Sequence, residues 1–293
     1  MTPSFGQGHF LEETIRSVLL QDYPDLEYIV VDGGSRDQSV EIIKKYQDRL
    51  AFWVSEPDRG QSHAINKGLA RCTGEIFNWI NSDDLLMPGA LWAVARAWRQ
   101  QPGRIVSGHT EFFDRTGTVE IIRARGQALR NFVRFWEAGA WGWAQPGTFV
   151  PLADLKAIGG IREELKYCMD YEMMVRLLAR NIDVTYVDQT LARFRLHEVS
   201  KTVGSREAFR LERVPTLRGM KNLPIHVEEW EWDAEQARRL ADVARHAWLH
   251  GGYGHALALL GRAVVTSPKS VICEISNRLG HRLRRRPQPS ERR

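Results

Sequence analysis

The first hundred residues alternate between short apolar runs and amphipathic segments. The run LEYIVVD at 26–32 is rich in β-branched residues and ends in an acid and a glycine turn, which predicts a strand. The segment at 38–50, which follows this turn, carries apolar residues at helical spacing and predicts a helix. This alternation of apolar runs and amphipathic segments continues along the chain. It predicts strands at 26–32, 51–58 and 75–80 and helices at 38–50, 60–72 and 88–99.

Strands and helices that alternate at this spacing predict an α/β fold with a doubly wound, mostly parallel sheet flanked by helices. Ligands of such sheets bind beyond the carboxyl ends of the strands. Asp32, Asp58, Asp83 and Asp84 all come just after a predicted strand. The sequence therefore predicts a site at one rim of the sheet.

The segment NSDD at 81–84 places two carboxylates side by side after an apolar strand. Adjacent like charges repel each other, and holding them against a core element costs free energy unless a cation or hydrogen-bond donors compensate. One interpretation is a metal site. The alternative is that both aspartates favour the N-terminus of the next helix.

The pattern changes after about residue 203. Residues 233–268 predict two amphipathic helices joined at HGGYG, a hairpin of tetratricopeptide type. Beyond it, apolar residues recur every four positions among arginines, which fits either an interfacial helix for anionic lipid or a solvated tail. We therefore expect a catalytic domain at 1–203, a helical extension at 204–267 and a basic helix and tail at 268–293.

Composition excludes several classes of protein. The net charge of +5 lies in residues 281–293, which hold six arginines and one glutamate. The rest of the chain has no net charge, so it lacks the excess of basic residues typical of a nucleic-acid-binding protein. The three cysteines have no metal-binding spacing, which suits a reducing cytoplasm. We find no stretch typical of a transmembrane helix or a signal peptide, and we expect a cytoplasmic protein.

Five segments follow one another along about residues 1–203: TPSFGQGHFLEETIRSVLLQDYPDLEYIVVDGGSRDQS, EPDRGQSHAINKGLARCTGEIFNWINSDD, QPGTFVPLADLKAIGG, LKYCMDYEMMVRLL and FRLHEVSKT. In this order they resemble glycosyltransferase family 2 enzymes of the GT-A fold, which transfer a sugar from a nucleotide-sugar to an acceptor hydroxyl. The family's first strand ends in the Thr-Pro-Ser segment, so we expect most of that inner strand to be missing here.

The resemblance implies a donor site and a Mg²⁺ or Mn²⁺ cofactor. Asp84 is the expected direct metal ligand, and Asp83 is expected to hold the donor's ribose or a metal-bound water. His197, in the segment FRLHEVSKT, is expected to complete the metal shell or to contact the diphosphate; an isolated histidine is otherwise usually a surface residue. The remaining donor contacts that the resemblance implies are Pro3, Asp32 (nucleotide base), Asp58 and Gly60 (diphosphate) and Lys67, which otherwise stays solvated.

Asp170 corresponds to the family's general base, which takes the proton of the attacking hydroxyl. Asp170 and Glu172 lie two residues apart, so on a helix they point roughly 200° apart and only one of them faces the site. We expect Asp170 to face it; an N-cap is the alternative role for Asp170, and Glu172 is the reserve candidate for the base.

The segment at 136–149 is the expected acceptor side, with Trp141 and Trp143 as stacking faces for a sugar and Gln145 as a polar contact; both tryptophans are otherwise core residues. These inferences indicate a metal-dependent, inverting glycosyltransferase that builds a surface polysaccharide or lipid-linked glycan at the cytoplasmic face of an anionic membrane. The alternatives are a nucleotidyltransferase, although TPSFGQGHF lacks the cations of its phosphate loop, and a degenerate member that binds a nucleotide-sugar without turnover.

Overall fold

The computed structural model describes residues 1–137, 142–198, 200 and 206–272. The chain divides into two compact units, Met1–Gly204 and Ser205–Arg293. Each unit has a hydrophobic cluster of its own.

The first third of the larger unit follows the predicted alternation of strands and helices. Its three strands form a parallel sheet in the order β1-β2-β3, with Ser4 opposite Asp32 and Asp32 opposite Ser55. The elements are β1 (Thr2–Ser4), α1 (Gly8–Leu19), β2 (Ile29–Asp32), α2 (Ser39–Lys45), β3 (Phe52–Ser55) and α3 (Gln61–Arg71).

The rest of the unit forms a second, mixed sheet in the order β4-β8-β6-β9-β5, with β7 on the edge of β6. Only the β6–β9 pair is parallel among the strand pairs described in this sheet. The elements are β4 (Ile76–Phe77), β5 (Leu85–Leu86), α4 (Ala90–Gln100), β6 (Ile105–Asp114), β7 (Gly117–Ile122), α5 (Leu129–Val133), β8 (Thr148–Pro151), α6 (Leu152–Ala157), α7 (Met169–Ala179) and β9 (Val184–Arg195).

The α/β fold is confirmed, but the expectation of a mostly parallel sheet is wrong for this second half. β6 and β7 are joined by a two-residue turn, and strands connected so tightly can pair only in the antiparallel direction. The alternation that predicted a parallel sheet ends at α4.

β1 is short, but its backbone joins the two sheets. On one side it pairs with β2, and on the other the Ile80 N–H donates to the Met1 carbonyl at 3.0 Å. The residues before NSDD are thereby held beside the parallel sheet. As a result, the ends of β1 and β2 and the turn after β4 share one rim.

The long β6–β9 pair carries an irregularity. Val187 lies opposite Gly108, but Ala192 lies opposite Thr110, so β9 contains three more residues than β6 over this stretch. Gly108 permits the close approach, because a Cβ on this residue would lie 2.4 Å from Leu191 Cγ. The extra residues form a bulge in β9.

The core of the larger unit lies between the parallel sheet, α1, α2, α4 and the central strands of the mixed sheet. On α1 the buried apolar residues recur at helical spacing, at Leu11, Ile15 and Val18, and this stripe packs against β2 and α4. The other members with less than 1% exposure are Val30, Ile43, Ala90, Val106, Leu191 and Ala192.

In the described part of the smaller unit, the helices with defined bounds are α8 (Arg206–Gly219), α9 (Glu229–Leu249) and α10 (Tyr253–Thr266). α9 and α10 pack against each other through Leu240, Val243, Leu259 and Ala263, which confirms the predicted helix pair. No helix within the described part of the chain is long and apolar enough to cross a membrane.

Candidate active site

Asp32, at the end of β2, organises the loop that follows it. Its Oδ2 accepts hydrogen bonds from the backbone of Gly34 and Ser35 and from the Ser55 hydroxyl, and its Oδ1 accepts one from the Ser35 hydroxyl at 2.5 Å. The residue is fully buried. Four donors use the acceptor capacity of a carboxylate, so the expected contact with a nucleotide base would require one of these bonds to open.

Gly33 allows Asp58 to reach the end of β2. A Cβ on Gly33 would lie 2.6 Å from Asp58 Oδ2 and 3.1 Å from the Phe5 ring. Asp58 in turn accepts a hydrogen bond from the Gly60 N–H at 2.7 Å, and Gly60 precedes α3 as its cap residue with a φ of 115° that favours glycine. The D-x-G turn therefore lies against the Asp32 loop. Pro3, in the middle of β1, is buried beside Val31.

Lys67 on α3 is engaged by its own neighbourhood. Its ammonium lies 2.8 Å from Glu56 Oε1 and donates to the Pro57 carbonyl at 3.3 Å. Only 22% of the side chain is exposed. In this arrangement Lys67 ties α3 to the chain that follows β3.

The two adjacent carboxylates of NSDD have different environments. Asp84 is 1% exposed, and both of its oxygens are used: Oδ1 accepts from the Arg195 N–H and Oδ2 from the Asn81 amide, each at 3.0 Å. Burial and the charge of the neighbouring Asp83 raise the pKa of Asp84 well above its ordinary value, against the effect of these hydrogen bonds. Asp84 is therefore a buried structural acid in this structure.

Asp83 lies on the outer side of the same turn. Its Oδ2 is 2.9 Å from Nε2 of His197, which lies two residues beyond β9, and it also accepts a hydrogen bond from the Gln7 amide at 3.2 Å. Both of these bonds use Oδ2, and no hydrogen bond or ion pair joins Oδ1 to another described residue. The structure thus brings Asp83 and His197 together, whereas Asp84 faces inward.

Arg195 holds Asp83 and His197 in place through its side-chain contacts. Its guanidinium bonds the Asp83 carbonyl at 2.9 Å and Glu13 of α1 at 2.6 Å, and it stacks on the Phe10 ring at 4.7 Å. The Phe10 ring also packs against the His197 imidazole, with centroids 4.8 Å apart. Arg195 is therefore a positioning residue whose charge is already partnered.

The first turn of α3 connects the rim to α7. The Gln61 amide donates to Asn81 of NSDD at 2.7 Å, and the Ser62 hydroxyl lies 2.7 Å from the sulfur of Met169, the first residue of α7. The Asp58 turn, the NSDD turn and the start of α7 therefore converge on the same end of α3.

Asp170 and Glu172 on α7 have opposite surroundings, as their spacing predicts. Glu172 is fully buried, and its Oε1 bonds Arg176 at 2.7 Å and Arg162 at 3.0 Å. Asp170 is half-buried at the first turn, where its Oδ1 accepts from the N–H of Tyr171 at 2.7 Å. Of the two acids, Asp170 is the more exposed one.

The expected acceptor residues are not equivalent. Gln145 is 7% exposed, and its amide donates to the Trp79 carbonyl at 2.8 Å, so it supports the fold. Trp143 is half-buried in an aromatic cluster with Phe132 and Tyr171. Trp141 lies outside the described residues.

The side chains at the rim suit a cation whose coordination shell is completed by a bound diphosphate. Within the described ranges, no group of three or more His, Cys, Asp or Glu residues is arranged to hold a metal. Asp83 offers its Oδ1 oxygen, whereas His197 Nε2 donates to Asp83 Oδ2 at 2.9 Å and can ligate a metal only after that bond opens and the nitrogen loses its proton. Mg²⁺ or Mn²⁺ bound to a diphosphate takes further ligands from phosphate and water. The two residues fit a shared site of this kind once the cation replaces the hydrogen bond between them.

Sequence reasoning missed Gln7, Phe10, Asn81 and Gln61, which all support the rim through side-chain contacts. Gln7 also accepts the Ser82 hydroxyl at 2.5 Å and so contacts two residues of NSDD. Asn81 was the one with a local signal, since an amide beside two acids offers them a donor. The other three come from distant segments.

Comparisons with known proteins agree with this architecture. Residues 1–139 match the sequence profile described as Glycosyl transferase family 2. An uncharacterized glycosyltransferase of Rickettsia typhi is 25% identical over 213 residues, which cover 68% of this chain and 64% of the relative. The GalNAc(5)-diNAcBac-PP-undecaprenol beta-1,3-glucosyltransferase of Campylobacter jejuni is 33% identical over 95 residues, 31% of each chain. This chain thus spans less than two thirds of either relative.

Solved structures share the fold at low identity. Residues 1–349 of TarS from S. aureus, in complex with UDP-GlcNAc, match with a TM-score of 0.61 and 20% identity over 92% of this chain and 81% of that one. The mannosyltransferase PcManGT of Pyrobaculum calidifontis, in complex with GDP-Man and Mn²⁺, matches with a TM-score of 0.50 and 18% identity over 95% and 78%. Both are GT-A structures. The chain therefore contains a glycosyl transferase family 2 domain over residues 1–139.

Proposed function

We propose that the chain is a metal-dependent, inverting glycosyltransferase that moves a sugar from a nucleotide-sugar to an acceptor hydroxyl. The observation that carries this proposal is the contact between Asp83 and His197, which lie 114 residues apart in the chain and 2.9 Å apart at the rim. The family 2 domain supports this activity, and the UDP-GlcNAc and GDP-Man bound to the two structural neighbours support a nucleotide-sugar donor.

The proposed cation is Mg²⁺ or Mn²⁺, held by Asp83 and His197 in place of the expected Asp84. A divalent ion supplies charge neutralisation to a leaving diphosphate. Asp84 keeps the turn in shape through Asn81 and the backbone of Arg195. The Mn²⁺ in PcManGT supports the type of metal.

Asp170 is the proposed general base. The acceptor hydroxyl oxygen forms a bond to the anomeric carbon, and the bond between that carbon and the phosphate oxygen breaks with its electron pair on the diphosphate. The hydroxyl proton passes to the Asp170 carboxylate. Attack from the face opposite the leaving group inverts the anomeric centre.

The proposed acceptor is a surface polysaccharide or a lipid-linked glycan. The C. jejuni relative, whose name includes an undecaprenol-linked glycan, supports this class. Trp143 and Trp141 remain the proposed stacking surfaces for the acceptor sugar. Asp58 and the turn at Gly60 remain the proposed contacts of the donor diphosphate.

Ligand binding and product analysis test the proposal together. We expect a nucleoside diphosphate to raise the melting temperature of the full chain only when Mn²⁺ is present, because a ligand selective for the folded state stabilises it. We expect incubation with the matching nucleotide-sugar to release a nucleoside diphosphate. Release of pyrophosphate would indicate a nucleotidyltransferase instead.

The His197→Gln variant provides the control for the site. Glutamine cannot reproduce the imidazole ligand, so the Mn²⁺-dependent stabilisation should weaken while the melting temperature without ligand stays near that of the parent. Equal Mn²⁺-dependent stabilisation of parent and variant would contradict the site at Asp83 and His197. Binding without any nucleoside diphosphate release, across the common donors, would indicate a non-catalytic member.

A further inference from the structure

The second helix of the C-terminal pair exposes most of its apolar surface. α10 buries a narrow stripe, Ala256, Leu259 and Ala263, against α9. The neighbouring sector of the helix is apolar and open. Its exposed residues are Tyr253 (55%), Leu257 (60%), Val264 (47%) and Val265 (86%).

These side chains form one continuous surface, the α10 face, defined by Tyr253, Leu257, Val264 and Val265. Residues three, four and seven apart lie on one side of a helix, so Leu257 and Val264 lie in line with Tyr253. Ala258 and Gly261 fill the gaps between them with little bulk. A soluble helix normally turns polar residues to this side.

The aromatic residues collect at the end of the helix pair. Trp248, at the end of α9, meets Tyr253, at the start of α10, edge to face with ring centroids 4.8 Å apart. Both rings are about half exposed, and Leu249 beside them is 69% exposed. Tryptophan and tyrosine are the residues most enriched at membrane–water interfaces.

The charge of this region favours an anionic partner. Residues 243–272 contain no aspartate or glutamate, whereas residues 207–242 contain eight. Arg262 and Lys269 are exposed on or next to α10, and residues 281–293 add six arginines. Acids are therefore absent from the stretch of chain that carries the open apolar surface, and Arg262 and Lys269 lie on or next to its helix.

We propose that the α10 face and the Trp248–Tyr253 tip bind an anionic lipid surface, with the helix lying in the plane of the headgroups. An amphipathic helix with aromatic and aliphatic residues on one face and basic residues beside it binds such interfaces through apolar burial and attraction to anionic lipid. α10 is roughly 21 Å long, enough to lie in the headgroup region. This inference is independent of the transfer reaction.

Cosedimentation of the full chain with vesicles tests the proposal. We expect binding to vesicles of equimolar phosphatidylglycerol and phosphatidylcholine and much weaker binding to phosphatidylcholine alone. Changing both Leu257 and Val265 to Gln should reduce binding at least about tenfold, because the burial of two apolar side chains is lost. Arg262→Gln should reduce it by about fivefold through loss of one charge near the surface.

Trp230→Gln is the matched control, because Trp230 is 68% exposed but lies among Glu228, Glu229 and Glu231 at the other end of α9. It should bind vesicles as the parent does. All variants should keep the parent's helical circular dichroism and melting temperature, since the changed residues are exposed. Parent-like binding by the Leu257→Gln, Val265→Gln variant would assign the binding to the arginine tail alone and overturn the proposal. If the parent does not bind vesicles and the Leu257→Gln, Val265→Gln variant differs from it in mass by light scattering, the face is a contact between protein chains. This result would also overturn the proposal.

Discussion

The turn after β4 and the first turn of α7 each place two acids within two residues of one another, and each divides them in the same way. In the turn, Asp84 is buried and bonded by Asn81 and by the Arg195 backbone, while Asp83 meets His197 at the rim. On α7, Glu172 is buried against two arginines.

The comparison shows that a pair of acids is not one functional unit. One member of each pair stabilises the backbone that carries the other. Asp84 accepts hydrogen bonds at both oxygens and Glu172 bonds two arginines through Oε1, while the proposed catalytic or metal-binding member of each pair is the more exposed one. Substitutions that separate the two members should therefore separate loss of activity from loss of stability.

The largest effect is expected for Asp170→Asn. Asparagine keeps the size of the side chain and can still accept the Tyr171 N–H, but it cannot take a proton from the acceptor. Loss of a general base costs a rate factor of about 10² to 10⁴. Single-turnover transfer should fall by this factor while the donor's dissociation constant, measured by calorimetry, stays unchanged. A variant that transfers at the parent rate would remove Asp170 from the mechanism.

Glu172→Gln should act on stability instead. It removes a buried charge that faces Arg176 and Arg162, and breaking a buried ion pair costs about 3 kcal/mol. Urea unfolding should show this loss, and the folded fraction should keep its transfer rate. The control is Arg162→Gln, whose effect should be smaller because 44% of the Arg162 side chain is exposed. If Glu172→Gln were fully stable and inactive, the two acids would have been assigned the wrong way round.

The turn after β4 offers the next test. Asp83→Asn should weaken Mn²⁺-dependent binding of a nucleoside diphosphate by about 10- to 100-fold, because a carboxylate ligand is lost. Asp84→Asn should leave that affinity within a few-fold of the parent, since asparagine can still accept the Arg195 N–H. Isothermal titration of both variants in parallel compares them directly. The reverse ranking would restore Asp84 as the metal ligand.

The smallest effect concerns Asp37, an exposed acid that belongs to neither pair. Slight burial raises the pKa of the Asp37 carboxyl. The hydrogen bonds from Ser39 and from the Gly8 backbone have the larger effect and lower this pKa below its ordinary value. A lowered pKa in the folded state stabilises the protein above the unfolded pKa, and this contribution is lost as the pH falls.

Asp37→Ala should therefore lower the melting temperature at neutral pH by an amount corresponding to about 1 kcal/mol. The difference from the parent should shrink as the pH is lowered below about 4. Melting curves across this range provide the measurement. A difference that does not depend on pH would mean that the charge of Asp37 makes no contribution.

Sequence reasoning succeeded where a regular period exists. The roughly 200° between helix positions two apart agrees with the burial of Glu172 and the partial exposure of Asp170, and the strand and helix periods located β2, β3 and α3. Asp83 and Asp84 lie in a turn, where no period relates side-chain direction to position. Their orientation depends on Asn81, Arg195 and His197, of which only Asn81 is close in sequence.

The mixed sheet was not predicted for a similar reason. Its order depends on pairings between strands that are far apart in the chain, such as β4 with β8 and β5 with β9. Lys67 also illustrates the limit, because its partner Glu56 lies on a different element and only the folded chain brings them to 2.8 Å. A helix period alone leaves such a side chain unassigned.

The bulge in β9 decides which face of the sheet each later side chain of this strand lies on. Side chains of a strand alternate between the two faces, and the three extra residues relative to β6 are an odd number, so they reverse the alternation beyond Ala192. Arg195, and with it the turn that presents His197, reaches the NSDD side of the sheet because of this reversal. Paired residues share a face of the sheet, so Arg195 keeps the face of Phe113, its partner on β6, as long as the register beyond the bulge is kept. The bulge thus absorbs the extra length of β9 and leaves that register intact.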